Sequence, residues 1–325
     1  MTDLVTTGYW VEAPGRGALR DVVLDEPGDG DVLLRSTHGG ISPGTERLVG
    51  LGLVPRSSGP DMACPGMQGS FALPVLYGYS LVGVVERGPD AGRRAFVMRP
   101  HQRRAVARRD ELVWLPDDVP SARATLFPNL ETAQNGVWDA APRGGEPVLV
   151  VGAGAVGLLL SFVLARRHDG PVAVAELDAE RRARAAALPW VERAVAPRDV
   201  EPGAFAHALH TSATADGLQL AIDAVGFEGQ VTELSWYGDQ AVSLRLGDTF
   251  HWARKRLVAS QVATVAPLRR AAGRPGRTAA VLELLRDAAL DRLLAPATPF
   301  AELPSTFAAL YAGRTAAPCP VVGYE

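Results

Sequence analysis

Residues 148–165 read VLVVGAGAVGLLLSFVLA. The run has the length of a membrane span. The glycines near its start divide it instead into a strand over 148–152 and a helix running through Arg167. Gly152 permits a tight turn, Gly154 lets the backbone approach a ligand closely, and Gly157 lets helix and strand pack together. The helix start at Ala155, Val156 and Gly157 then offers unpaired N–H groups and partial positive charge to an anion. A lone GxGxxG pattern is weak. Here Glu176 ends the next apolar run, 172-VAVAE-176, 19 positions beyond Gly157. A carboxylate at that place accepts hydrogen bonds from an adenosine ribose. The pair predicts a dinucleotide site, and the carboxylate favours NAD over NADP by repelling a 2′-phosphate. Arg181 and Arg182 leave NADP open, because a guanidinium there can neutralise that phosphate.

The rhythm of the chain around this motif predicts two domains. Over residues 1–120 short apolar runs alternate with Gly and Pro, as in 31-DVLLRSTHGG-40 and 81-LVGVVERG-88, which predicts a β-rich domain. From 121 to 267 strand and helix signals alternate, which predicts a doubly wound parallel sheet. The remainder, 268–325, returns to the character of the first region, so the nucleotide domain reads as inserted into the other. At 325 residues the chain is long enough for two cores. A net charge of −3 gives no general attraction to nucleic acid or anionic membrane. Two cysteines, Cys64 and Cys319, are too few for a disulfide framework or a four-thiolate zinc site. With a mixed, polar opening segment, the expectation is a cytoplasmic protein acting on a small molecule.

The segments 40-GISPGTE-46, 67-MQGSFALPVLYGYSLVG-83, 100-PHQ-102, 126-LFPNLETAQNGVWDA-140 and 233-ELSWYGD-239, with the domain order, resemble the medium-chain dehydrogenase/reductase superfamily. They are similar to a bacterial subgroup labelled zinc-binding alcohol dehydrogenase, related to hydroxyethyl bacteriochlorophyllide dehydrogenases. The resemblance implies a GroES-like β-rich catalytic domain, a Rossmann domain, nicotinamide-dependent hydride transfer and a homodimer joined along 241-AVSLRL-246. It also shows departures. Where zinc-dependent members carry a cysteine before a GTD-like turn and a GHE triplet, this chain has Ser42-Pro43 before Gly44-Thr45-Glu46, and Gly78-Tyr79-Ser80. The third ligand position falls near Pro128 and Asn129. The expected enzyme is therefore independent of zinc.

Hydroxyl and imidazole groups must then stabilise charge on the substrate oxygen and move its proton. The resemblance brings forward Tyr79, at a lost ligand position, and Thr45, a hydroxyl for proton relay. Glu46 reads either as a carboxylate behind the site or as a solvated turn residue, and His101 as an acid or base or as a strand-end histidine. Asn129, Trp236 and Tyr237 are expected to face substrate, Trp236 also the nicotinamide. Glu131 reads as a lining residue or an N-terminal helix charge. Ser235, Ser260 and Gln261 are expected on the nicotinamide side, Thr211 and Ser212 on the adenosine side. His207 and His210, three apart on a predicted strand, should point to opposite faces, one to the core and one to the surface. Residues 50–74, rich in Gly and Pro, read as a substrate-side flap containing Cys64. Two alternatives stay open: reduction of a conjugated double bond, and a coenzyme-binding sensor or scaffold without catalysis.

Overall fold

The computed structural model describes residues 4–55, 57, 59, 61–315 and 317–325. Within the expected flap, positions 56, 58 and 60 lie outside the described residues. The chain divides into two compact units, 1–128 with 285–325, and 129–284. The alternation of sequence signals placed the change at 121 and 267.

The first unit is built on antiparallel pairing. Strands β1 (Leu4–Ala13) and β2 (Arg16–Leu24) form a hairpin, and β3 (Asp31–Gly40) leads to helix α1 (Pro43–Gly50). Short β4 (Gln68–Gly69) and β5 (Val75–Leu76) extend the hairpin into a sheet of order β2-β1-β5-β4. Strands β6 (Leu81–Val85), β7 (Arg94–Val97), β8 (Arg104–Arg108) and β9 (Val113–Trp114) continue the chain, followed by α2 (Ser121–Ala124); α3 (Phe127–Ala140) then leads into the second unit. Buried Leu130, Ala133, Val137 and Ala140 give α3 the three-and-four spacing of a helical face.

The second unit is the parallel sheet that the Gly-rich motif demands. Its strands are β10 (Val148–Val151), β11 (Val172–Ala175), β12 (Arg193–Val195), β13 (Phe205–His210), β14 (Val225–Glu233) and β15 (Arg256–Ala259). The order is β12-β11-β10-β13-β14-β15, every pair parallel. Order reverses between β10 and β13, which places the ligand crevice outside the carboxyl ends of those two strands. Helices α4 (Ala155–Arg167), α5 (Ala179–Ala186), α6 (Ala215–Ala224), α7 (Thr249–Trp252) and α8 (Gly273–Leu284) complete the unit. Leu158 to Leu164 of α4 are all buried, so the membrane-length apolar run is a core strand followed by a core helix; among the described residues no helix is long and apolar enough to cross a membrane.

The chain then returns to the first unit. There β16 (Thr298–Pro299) and β17 (Val321–Gly323) flank α9 (Leu303–Tyr311), and β17 pairs antiparallel with β3. The seven-stranded sheet so formed has the order β16-β17-β3-β6-β7-β9, with β8 also on β3.

Two expectations are corrected. Residues 241–246 form no strand; Val242 and Leu244 pack on the core of the second unit, and Arg245 donates its N–H to Gln219 Oε1 at 2.8 Å. Alternation there marks an irregular segment with one face inward and not a strand. His207 and His210 do point to opposite faces, but both are buried. A parallel sheet carries helices on both faces and has no surface side for a central strand.

Candidate functional site

In the first unit the turn 42–46 and the strand-end segment 77–80 place three hydroxyls together. The Tyr79 phenol is hydrogen-bonded to the side chains of Ser42 and Thr45. Burial holds this phenol well above its ordinary range, and the bonds from Ser42 and Thr45 only partly offset that. It is therefore a neutral donor at any physiological pH. The backbone before it explains the placement. Gly78 has φ +134°, and a Cβ there would lie 2.8 Å from His101 Cδ2, so glycine both permits the turn and admits the imidazole beneath it.

Behind the hydroxyls lies a closed polar strap. Glu46 is 3% exposed and His101 1% exposed, which removes the solvated-turn reading of Glu46. Glu46 Oε1 accepts the Ser42 N–H at 2.8 Å, and Oε2 lies 2.8 Å from His101 Nε2. His101 Nδ1 is 3.3 Å from the Tyr324 hydroxyl. A carboxylate can only accept, so His101 donates through Nε2 and its Nδ1 faces the phenol. Tyr324, buried and the residue that follows β17, carried no sequence signal of this role.

Zinc takes thiolate, imidazole and carboxylate donors. The positions at issue here offer Ser42, Tyr79 and Ser80, and the Ser80 hydroxyl donates to the Thr125 carbonyl at 2.7 Å. This donor set does not fit a zinc ion. Among the described residues no three His, Cys, Asp or Glu side chains gather to hold a metal. Cys64 Sγ lies 3.5 Å from the Tyr77 hydroxyl, and burial pushes its thiol up to about 11, which leaves it protonated and without nucleophilic character.

In the second unit the Gly-rich turn has the geometry an anion requires. A Cβ on Gly157 would fall 1.9 Å from the Gly152 carbonyl oxygen, whereas one on Gly154 would meet nothing within 4 Å. The first contact keeps helix and strand in close packing; the second leaves open space beside the backbone. The α4 N-terminus at Gly154, Ala155 and Val156 has no side-chain cap, so its N–H groups suit a pyrophosphate. Glu176 accepts the Ala153 N–H at 2.7 Å and the Asp178 N–H at 2.9 Å, which fixes its carboxylate beside the turn. Arg182 donates to the carbonyls of Glu176 and Leu177 at 2.9 and 3.1 Å, and exposed Arg181 gives its backbone N–H to the Asp178 cap at 2.8 Å. The residues present fit a dinucleotide.

Facing Gly152 at the carboxyl ends, Thr211 Oγ1 donates to the carbonyls of Val151 and Gly152 at 3.0 and 3.2 Å. Sequence reasoning overlooked the group next to it. His210, fully buried, has Nδ1 2.7 Å from Glu233 Oε2 and Nε2 2.6 Å from Ser212 Oγ. Tyr237 donates its hydroxyl to the same Glu233 oxygen at 3.0 Å, and Ser235 gives Glu233 Oε1 its N–H at 2.6 Å. The expected coenzyme residues Ser212 and Ser235 are thus tied together by His210 and Glu233, which are opposite each other in register. Trp236 is half-buried, and so is Tyr237, which packs on the core of the unit. Ser260 Oγ donates to Asp139 Oδ2 at 2.6 Å, while Gln261 is exposed and its Oε1 accepts the Ala263 N–H. Asn129 is buried on α3, and Glu131, expected to line a site, pairs with Arg277 at 3.1 Å.

Burial pushes the Glu233 carboxyl up, but bonds from His210 and Ser235 outweigh it and hold the group below its usual 4.5. A depressed folded value stabilises the protein above the unfolded value and loses that contribution as pH falls through the folded one. Glu233→Gln should therefore flatten the loss of stability below pH 4.5, measured by urea unfolding across the acid range.

The fold is a β-rich unit with a returning carboxyl terminus and a nucleotide-type sheet of order 3-2-1-4-5-6, an architecture found in solved dehydrogenases. Solved structures share it across nearly the whole chain. A protein of Sinorhizobium meliloti 1021 bound to NADP, assigned as a zinc-binding dehydrogenase, superimposes with a TM-score of 0.78 at 16% identity, covering 99% of this chain and 100% of that one. A short chain alcohol dehydrogenase from Escherichia coli CFT073, complexed with NADH, gives 0.78 at 14% identity, covering 98% and 99%. By sequence, the 2-desacetyl-2-hydroxyethyl bacteriochlorophyllide A dehydrogenase of Cereibacter sphaeroides is 30% identical over 202 residues, 55% of this chain and 59% of that protein. No protein-family model matches.

Proposed function

We propose that this chain is a zinc-independent oxidoreductase that moves hydride between a nicotinamide dinucleotide and an alcohol or carbonyl substrate. The observation that carries the reading is the Tyr79 phenol held by Ser42 and Thr45, where the resemblance to zinc-dependent members implies a metal ligand in place of Tyr79. The coenzyme, when bound, supplies or accepts hydride at its nicotinamide C4. For reduction, Tyr79 donates its hydrogen bond and then its proton to the substrate oxygen. Thr45 and Ser42 stabilise the phenolate that this leaves by hydrogen bonds and relay to it a proton taken up from solvent. Glu46 and His101 do not reach the substrate. They hold the 42–46 turn through the Ser42 N–H, and so act as positioning residues. In the second unit Gly152, Gly154, Ala155, Val156 and Gly157 hold the pyrophosphate and Glu176 the adenosine ribose.

NAD(H) is favoured over NADP(H). A ribose held by Glu176 would meet a carboxylate that repels a 2′-phosphate, and the Arg182 guanidinium is engaged by two carbonyls. The bacteriochlorophyllide dehydrogenase likeness supports an alcohol–carbonyl conversion in preference to double-bond reduction. We propose further a cytoplasmic homodimer joined along exposed β15, where Leu257 is 40% exposed; a monomeric mass in solution would refute the dimer. The enzymatic reading is tested by following nicotinamide absorbance with NADH or NADPH against a carbonyl panel and an enone panel. Carbonyl reduction with NADH at least tenfold more efficient than with NADPH is expected. Turnover of enones alone would install the double-bond reductase, and coenzyme binding with no turnover the sensor or scaffold.

A further inference from the structure

Strand β15 ends at Ala259, and the following residues 260–266 form neither strand nor helix. Gln261, Ala263 and Thr264 are exposed. An exposed segment of this kind is ordinarily held loosely. Here five of its seven residues are gripped by side chains of α3 and α8. Ser260 donates to Asp139 at 2.6 Å, Arg277 donates to the Val262 carbonyl at 2.7 Å and Arg274 to the Ala263 carbonyl at 3.3 Å. Asn135 Nδ2 donates to the Thr264 carbonyl at 3.2 Å, and its Oδ1 accepts the Ala266 N–H at 3.0 Å.

Two of the gripping groups are themselves buried, while Arg274 is exposed and Asp139 half-buried. Arg277 is 3% exposed and Asn135 1% exposed. Arg277 divides its remaining donors between Glu131 Oε1 at 3.1 Å and Asn135 Oδ1 at 3.2 Å. Burial raises the Glu131 carboxyl even against the pull of Arg277. A guanidinium–carboxylate pair inside a protein stabilises no better than apolar side chains of the same volume. What it supplies that leucines could not is directed bonds to a particular run of carbonyls. Because all six strands of the sheet are parallel, the segment leaves β15 at the carboxyl ends, the same edge as Gly152 and the Thr211–Ser212 turn. The sheet edge that receives the coenzyme therefore has an exposed length of backbone fixed from beneath.

We infer that Arg277 and Asn135 are positioning residues, which hold 260–266 as a preformed backbone ledge for the nicotinamide end of the coenzyme. The inference rests on the coenzyme reading above. A planar carboxamide needs a peptide donor and acceptor at fixed spacing, and a ledge ordered in advance removes the cost of ordering it on binding. The adenosine half of the coenzyme gains nothing from it, and this asymmetry makes the test.

Binding of NADH and of ADP-ribose, which lacks the nicotinamide, is measured for the wild type and for Arg277→Lys, together with backbone amide exchange over 260–266. Expected are an NADH Kd raised on the order of tenfold, an ADP-ribose Kd unchanged, and faster exchange confined to the segment. Should the lysine variant not fold, Asn135→Ser supplies the same contrast. Unchanged NADH affinity, or equal weakening of both ligands, overturns the positioning role while leaving the coenzyme reading intact. A wild type that binds neither ligand overturns that reading, and the inference with it.

Discussion

Tyr79→Phe should lower kcat for carbonyl reduction by about 10²–10³ and leave KM nearly unchanged. The variant removes one oxygen, and the phenyl ring keeps the edge-on packing against Tyr77, whose centroid lies 6.2 Å away. What disappears is the donor that meets charge developing on the substrate oxygen, an interaction strongest in the transition state, so the loss falls on kcat. Thr45→Val should show a smaller loss, since Ser42 still contacts the phenol. Steady-state kinetics with NADH checks both. A fall in affinity with kcat intact would assign Tyr79 to packing alone.

His101→Ala should destabilise the first unit by about 3–5 kcal/mol, read from urea unfolding. The imidazole is 1% exposed and satisfies Glu46 Oε2 on one side while facing the Tyr324 hydroxyl on the other. Its removal leaves a buried carboxylate oxygen without its partner and a void beside Phe307, whose ring lies 5.6 Å from the imidazole. His101→Gln can still donate to Glu46 and should recover part of the loss. If His101 were an acid or base touching substrate, the glutamine variant would be stable and catalytically dead. The strap reading expects partial stability and partial activity together.

The nucleotide unit was legible because its signals are local. Strand, glycines, helix and Glu176 lie within 148–176, and each element formed where the apolar runs said it would. Tyr79 was found through a resemblance, at a position where zinc-dependent members carry a ligand, and Thr45 as their proton-relay hydroxyl, whereas Ser42 was noted only as a departure from the ligand pattern. The remainder depended on contacts distant in sequence. His101 meets Glu46 across 55 positions and Tyr324 across 223. Arg277 meets Glu131 across 146. Nothing in the neighbourhood of these residues distinguishes them from solvated surface charges. His210 was misjudged for a different reason: a strand read alone suggests a solvent face, which a parallel sheet clad in helices does not have.

The most direct test of hydroxyl-supported hydride transfer is turnover and zinc content measured on the same sample before and after exhaustive chelation. Full activity with only trace metal is predicted. Activity that tracks stoichiometric zinc, and returns only when zinc is restored, would contradict it.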